Sequence, residues 1–142
     1  MTEYQLPELV LVEDEIADEL LSVRGIEKSG VECQITVKRD GASAIEYLLQ
    51  PDRKVPALVV LDFNMPLKNG LEILQAVRAD ERTKLMPIII FSGDHSREVV
   101  IECYRHGTNG WVKKPLEPNE YIEAMSRLVK FWLTAGAQKD RK

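Results

Sequence analysis

The sequence predicts an α/β domain: a parallel sheet of five strands with helices packed on both faces. Three observations carry this. Short, continuous apolar runs recur along the chain, as strands buried on both faces require. Segments with apolar residues at helical spacing separate them. Strand and helix alternate five times, and parallel strands need such crossovers to return along the sheet.

Leu9-Val10-Leu11-Val12 is the first run, and it ends at Glu13-Asp14-Glu15. In the helix that follows, Ile16, Leu20 and Val23 fall at i, i+4 and i+7 and form an apolar stripe, and Ser29-Gly30 closes it. Cys33 to Val37 alternates in polarity and reads as a strand nearer an edge. Asp40-Gly41 signals a helix start, and Ala44, Ile45, Leu48 and Leu49 give that helix one apolar face. Gln50 to Pro56 is a polar, proline-flanked loop. Ala57 to Leu61 is the third strand, and Asp62 to Gly70 the loop after it. Leu71, Leu74 and Val77 mark the third helix. Pro87 to Phe91 is the fourth strand, turned by Ser92-Gly93-Asp94. The fourth helix, from about Ser96 to Arg105, carries Val99, Val100 and Cys103 inward. Gly107 and Gly110 bracket a turn into the short fifth strand Trp111-Val112-Lys113, and the last helix runs from Glu117 to Leu133. The expected division is an N-terminal extension at 1–8, one domain at 9–133 and a polar, frayed tail at 134–142, with no output domain.

Five such units fit the three-layer flavodoxin-like sandwich with strand order 2-1-3-4-5. In that order ligands bind at the carboxyl ends of the strands, beside the switch point between strands 1 and 3. Strand 1 ends in Glu13 and Asp14, strand 3 in Asp62, strand 4 in Ser92, and strand 5 in Lys114 followed by Pro115. Residues scattered along the chain therefore meet on one rim.

Composition removes several functions. A chain of 142 residues suits one domain. The formal net charge of −4 argues against binding a phosphate backbone, so no direct nucleic-acid partner is expected. Cys33 and Cys103 match no metal spacing and read as buried free thiols of a reducing cytosol. Met1 to Pro7 lacks the basic and apolar regions of a signal peptide, and no apolar run approaches the roughly 18 residues that cross a bilayer. A cytoplasmic protein without a membrane partner is expected. There is no Walker A pattern and no G-x-G-x-x-G.

Three carboxylates on one rim repel one another and raise one another's pKa. Lys114 supplies one compensating charge, and a divalent cation supplies two more, so three negative charges balance three positive. Oxygen ligands without nearby His or Cys favour Mg²⁺ over zinc. A carboxylate beside Mg²⁺ and a lysine can accept a phosphoryl group, because both cations offset charge on the equatorial oxygens. Asp62 is the best nucleophile because it ends the central strand. Glu13 and Asp14 would hold the metal, and Ser92 could donate its hydroxyl to a phosphoryl oxygen.

The motifs resemble the receiver domain of two-component response regulators: Leu11-Val12-Glu13-Asp14, then Leu61-Asp62-Phe63-Asn64-Met65-Pro66 with Gly70, then Phe91-Ser92-Gly93, then Trp111-Val112-Lys113-Lys114-Pro115. The resemblance runs from about Leu9 to Leu133. It implies a signalling protein rather than an enzyme, with Asp62 as the aspartyl-phosphate site. Asp14 and Asp62 would ligate Mg²⁺ through side chains, Glu13 through water and Asn64 through its backbone carbonyl. Ser92 and Lys114 would bind the phosphoryl group, Ser92 and Trp111 would form the switch, and Lys114–Pro115 would be a cis bond. Implied partners are a sensor histidine kinase or phosphotransfer protein and a downstream protein. A homodimer through the helix 4–strand 5–helix 5 face is also expected. The ending Lys130-Phe131-Trp132-Leu133 further resembles receivers paired with phytochrome-type kinases. Ser92 stands where Thr is commoner, and Trp111 where Tyr or Phe is usual. Asn64 and Asp94 lie where the family tunes dephosphorylation.

Other classes fit less well. An FMN-binding flavodoxin cradles phosphate at its first strand–helix turn, where Glu13 and Asp14 would repel it. A haloacid-dehalogenase-type phosphatase wants an acid two residues after its nucleophile, where this chain has Asn64. A pseudo-receiver lacks a key residue, and here all are present. His95 and His106 read as surface residues. Phe131 and Trp132 are adjacent and cannot share a helix face, so one is expected to be exposed.

Overall fold

The computed structural model describes residues 5–140, with side chains through residue 134. Five strands alternate with five helices: β1 (Glu8–Val12), α1 (Ile16–Lys28), β2 (Gln34–Lys38), α2 (Gly41–Leu48), β3 (Leu58–Leu61), α3 (Gly70–Arg78), β4 (Ile88–Ser92), α4 (Arg97–Arg105), β5 (Gly110–Lys113) and α5 (Pro118–Asp140). The sheet is parallel throughout, in the order β2-β1-β3-β4-β5, as the alternation predicts.

The strand period of two divides the core. Val10, Val12, Val59, Leu61, Ile88 and Ile90 face α2, α3 and α4, where Ala44, Leu48, Leu74, Val77 and Cys103 cover them. Leu9, Leu11, Leu58, Val60, Ile89 and Phe91 face α1 and α5, against Ile26, Tyr121, Met125 and Val129. This two-sided burial is why β1, β3 and β4 appear in the sequence as unbroken apolar runs. The edge strand β2 is only partly covered.

Two expectations change. Of the stripe of Ile16, Leu20 and Val23, only Val23 packs against the core. Ile16 and Leu20 are 71% and 62% exposed, and α1 instead buries Ser22, Gly25 and Ile26. Gly25 explains the rotation: a Cβ there would lie 2.6 Å from the Met125 Cβ and 2.8 Å from the Ile122 carbonyl oxygen. Only a residue without a side chain lets α1 and α5 approach so closely. The second change is the last helix, which continues beyond Leu133 to Asp140. A tail expected to fray is helical there, while residues 141–142, like 1–4 of the N-terminal extension, lie outside the described residues.

Helix starts follow capping chemistry. Asp40 caps α2 through the Ser43 N–H, Asn69 and Glu72 form a capping box on α3, and Ser96 caps α4. The start of α1 has no side-chain cap. Cys103 is buried as expected, whereas Cys33 is only half-buried. Among the described residues, no helix is long and apolar enough to cross a membrane.

Replacing Gly25 by Ala should destabilise the fold by about 1–2 kcal/mol, the overpacking cost less the helix-propensity gain. Urea unfolding should show a lower midpoint with an unchanged slope. A midpoint equal to the wild type would mean that α1 and α5 can part without cost.

Candidate functional site

The sheet ladder continues one residue past three strands, and that residue is polar each time. The Glu13 N–H donates to the Lys38 carbonyl at 2.9 Å, the Asp62 N–H to the Val12 carbonyl at 3.1 Å, and the Lys114 N–H to the Ser92 carbonyl at 2.7 Å. Backbone pairing thus fixes where each functional side chain starts, before any side-chain contact forms.

The side chains then converge on one ammonium. Lys114 Nζ donates to Glu13 Oε1 at 2.7 Å, Asp18 Oδ2 at 2.8 Å and Asp62 Oδ2 at 2.7 Å. The other Asp62 oxygen, Oδ1, accepts the Ser92 hydroxyl at 2.7 Å and the Asn64 N–H at 3.0 Å. Both oxygens of Asp62 are held, and its side chain is 11% exposed. The second Glu13 oxygen accepts the Glu15 N–H at 3.2 Å, so the otherwise uncapped start of α1 is tied to the site.

Burial and charge oppose each other here. Burial pushes the Glu13 carboxyl up to about 7, against the lowering effect of Lys114. For Lys114 burial pulls downward, but hydrogen bonds to Asp18, Asp62 and Glu13 together outweigh it and hold the ammonium above its ordinary value. With all three carboxylates ionised, one lysine leaves two negative charges in excess. Glu13, Asp18 and Asp62 each offer an oxygen, all within 4.8 Å of one another. That hard-oxygen, net-negative donor set is compatible with a divalent cation.

The structure brings together Glu13, Asp62, Ser92 and Lys114, all named from sequence. Asp14 does not join them; it is exposed. Asn64 is exposed, with its N–H on Asp62. Trp111 is half-buried, with its ring 6.0 Å from Phe63 and 5.3 Å from His95, centroid to centroid. The Trp111 backbone N–H donates to the Tyr104 hydroxyl at 3.0 Å, joining β5 to α4. Asp94 pairs with Lys113 at the surface at 2.8 Å. The peptide bonds of the described residues are all trans, so the cis Lys114–Pro115 bond implied by resemblance is not found. Trans is the lower-energy isomer even before proline.

Sequence reasoning missed two residues. Asp18 reads as an acid in a first helical turn, favourable to the dipole. Its distinguishing signal is its place one turn after Asp14, on the helix that leaves the site. His95, read as a surface residue, has Nε2 3.2 Å from Ser92 Oγ and 3.2 Å from Asn64 Nδ2. Its ring also packs edge-on against Phe63. Its position three residues beyond Ser92 was the available signal. His106 instead contacts the Glu102 carbonyl at the end of α4.

Known proteins resemble the chain in sequence and fold. A family model described as the response regulator receiver domain matches residues 9–126. The chain is similar to the response regulator Rcp1 of Synechocystis sp., with 27% identity over 129 residues covering 88% of each chain. It superposes on the crystal structure of the phosphorylated cyanobacterial phytochrome response regulator RcpA with a TM-score of 0.86, at 26% identity, covering 93% of this chain and 96% of that one. On the Mn²⁺-bound form of Rcp1 the TM-score is 0.83, at 27% identity, covering 89% and 94%.

Lys114→Met removes the shared cation and leaves three carboxylates facing one another. It should cost about 2–4 kcal/mol in urea unfolding at neutral pH without divalent ions. Adding Asp62→Asn to that variant should return part of the loss. If the double variant is no more stable than the single one, carboxylate repulsion is not the cause.

Proposed function

This chain belongs to the response regulator receiver family, and we propose that within it Asp62 accepts a phosphoryl group, with Mg²⁺ as cofactor, and so switches a protein-binding surface. The single observation that carries this reading is the double hold on Asp62, by the Ser92 hydroxyl on one oxygen and by Lys114 on the other. A carboxylate held from both sides presents a fixed nucleophile.

The phosphoryl donor is a histidine kinase or phosphotransfer protein. An Asp62 oxygen forms the new O–P bond as the P–N bond of a phosphohistidine breaks, and the leaving imidazole keeps the electron pair and takes a proton. Ser92 and Lys114 then bind phosphoryl oxygens. Asp14 and Asp62 would hold Mg²⁺, with Glu13 acting through water and Asn64 through its carbonyl, which requires the exposed Asp14 to turn toward the Glu13–Asp18–Asp62 cluster. The Mn²⁺-bound Rcp1 structure supports a divalent ion in this family. When bound, the ion supplies positive charge against the transferring group. Similarity to Rcp1 and RcpA favours a phytochrome-type kinase as the source.

The output surface is the face of α4, β5 and α5. Ser92 ends β4 beneath it, and Trp111 lies on β5. Ile101, Tyr104, Leu116 and Phe131 are exposed in or beside these elements, and Phe131 is the exposed member of its aromatic pair. A downstream protein, or a second copy of the chain, binds here when phosphorylation shifts a two-state equilibrium.

Incubation with acetyl phosphate and Mg²⁺ should add one phosphoryl mass in a hydroxylamine-sensitive linkage. The adduct should vanish in Asp62→Asn and when Mg²⁺ is chelated; persistence in Asp62→Asn would refute the assignment. In a Trp132→Phe background, beryllofluoride with Mg²⁺ should change Trp111 fluorescence, and light scattering should show a larger mass. Unchanged fluorescence and unchanged NMR shifts along α4, β5 and α5 would sink the output surface.

A further inference from the structure

Lys114 has no spare donor. An ammonium offers three N–H bonds and no acceptor, and Glu13, Asp18 and Asp62 take all three at 2.7–2.8 Å. Any phosphoryl oxygen that Lys114 is to bind must displace one of them. Resting on the reading of Asp62 as phosphoacceptor, we propose that Asp18 is a positioning residue that restrains Lys114 in the unphosphorylated chain, and that phosphoryl entry breaks this contact first.

Exposure decides which partner yields. The Glu13 side chain is 3% exposed, so losing its ion pair would strand a buried carboxylate. The Asp62 carboxylate is the acceptor itself. Asp18 is 31% exposed, and water can take the place of the lysine there. Releasing Asp18 is the least costly exchange.

Asp18 is not a drifting surface acid, because α5 holds its backbone. The Tyr121 hydroxyl donates to the Asp18 carbonyl at 3.3 Å and lies 2.9 Å from Ser22 Oγ. Tyr121 and Ser22 are 2% and 1% exposed, so this link is buried. It depends on the close approach of α1 and α5 that Gly25 allows. The packing of two helices thus aims Asp18 at Lys114. A role as metal ligand predicts the opposite effect, since removing a ligand weakens the ion and everything bound with it.

The test is beryllofluoride binding to the full chain at saturating Mg²⁺, read by ¹⁹F NMR, with Mg²⁺ affinity measured separately. Asp18→Asn should tighten beryllofluoride binding about threefold to fivefold, the size expected when a partly exposed ion pair need no longer be broken. In a Lys114→Met background the same substitution should tighten binding less, because the restraint acts through the lysine. A merely structural role would not move that difference. Unchanged or weaker beryllofluoride binding in Asp18→Asn, weaker Mg²⁺ binding, or equal tightening with and without Lys114 would each overturn the proposal. Failure of the wild type to bind beryllofluoride, or equal binding by Asp62→Asn, would instead overturn the phosphoacceptor reading and this inference with it.

Discussion

The carboxyl edge of the sheet depends on one ammonium. Lys114 is the only cation bonded to Glu13, Asp18 and Asp62 among the described residues. It joins the ends of β1, β3 and β5 and the first turn of α1. Without it, three acids, Glu13 and Asp62 among them largely buried, would repel one another in a medium less polarisable than water. The lysine neutralises one charge of three. It makes the cluster tolerable without making it neutral, which leaves the site receptive to a further cation.

The rest of the fold serves to bring those groups to one place. Two cores, one on each face, hold β1, β3 and β4 rigidly in register, with Val12 opposite Leu61 and Leu61 opposite Ile90. β1 and β3 end level, and β4 and β5 end level with each other two residues farther on, with Ser92 opposite Lys113, so Glu13, Asp62, Ser92 and Lys114 emerge on one rim. The helices contribute less symmetrically. The α1–α5 side is tied to the site through Tyr121 and Asp18, and the α4–β5 side through Trp111, His95 and Tyr104. One side restrains the lysine while the other surrounds the hydroxyl of Ser92.

Much of this was legible in the sequence. Strands buried on both faces leave unbroken apolar runs, and a parallel sheet puts their ends together, so Glu13, Asp62 and Ser92 could be named from pattern and topology, while the choice of Lys114 over Lys113 rested on the resemblance to the receiver motif. What was not legible depended on three-dimensional approach. The stripe of Ile16 and Leu20 has the right period and the wrong direction, because Gly25 rather than a large side chain marks the contact face of α1. Asp18 and Asp14 look alike in sequence, and the α5 hydroxyl that selects Asp18 lies about a hundred positions away. His95 has neighbours only because β4 turns sharply after Ser92. The continuation of α5 shows a weak amphipathic signal overridden by helix propagation from a well-packed start.

The two-sided core has a consequence for how the molecule breathes. Backbone amides exchange with solvent by local opening, and opening costs most where apolar contact is densest. β1, β3 and β4 are buried almost throughout, whereas β2 and β5 lie at the edges and are partly open. Asp62 therefore follows one of the most deeply buried strands, where exchange is expected to be slow, and Trp111 lies on a partly open edge strand, where it is expected to be faster. The proposed chemical change at the buried centre would be felt on an edge strand, where opening costs less. The gradient from still to mobile across three neighbouring strands gives the site a direction in which to signal.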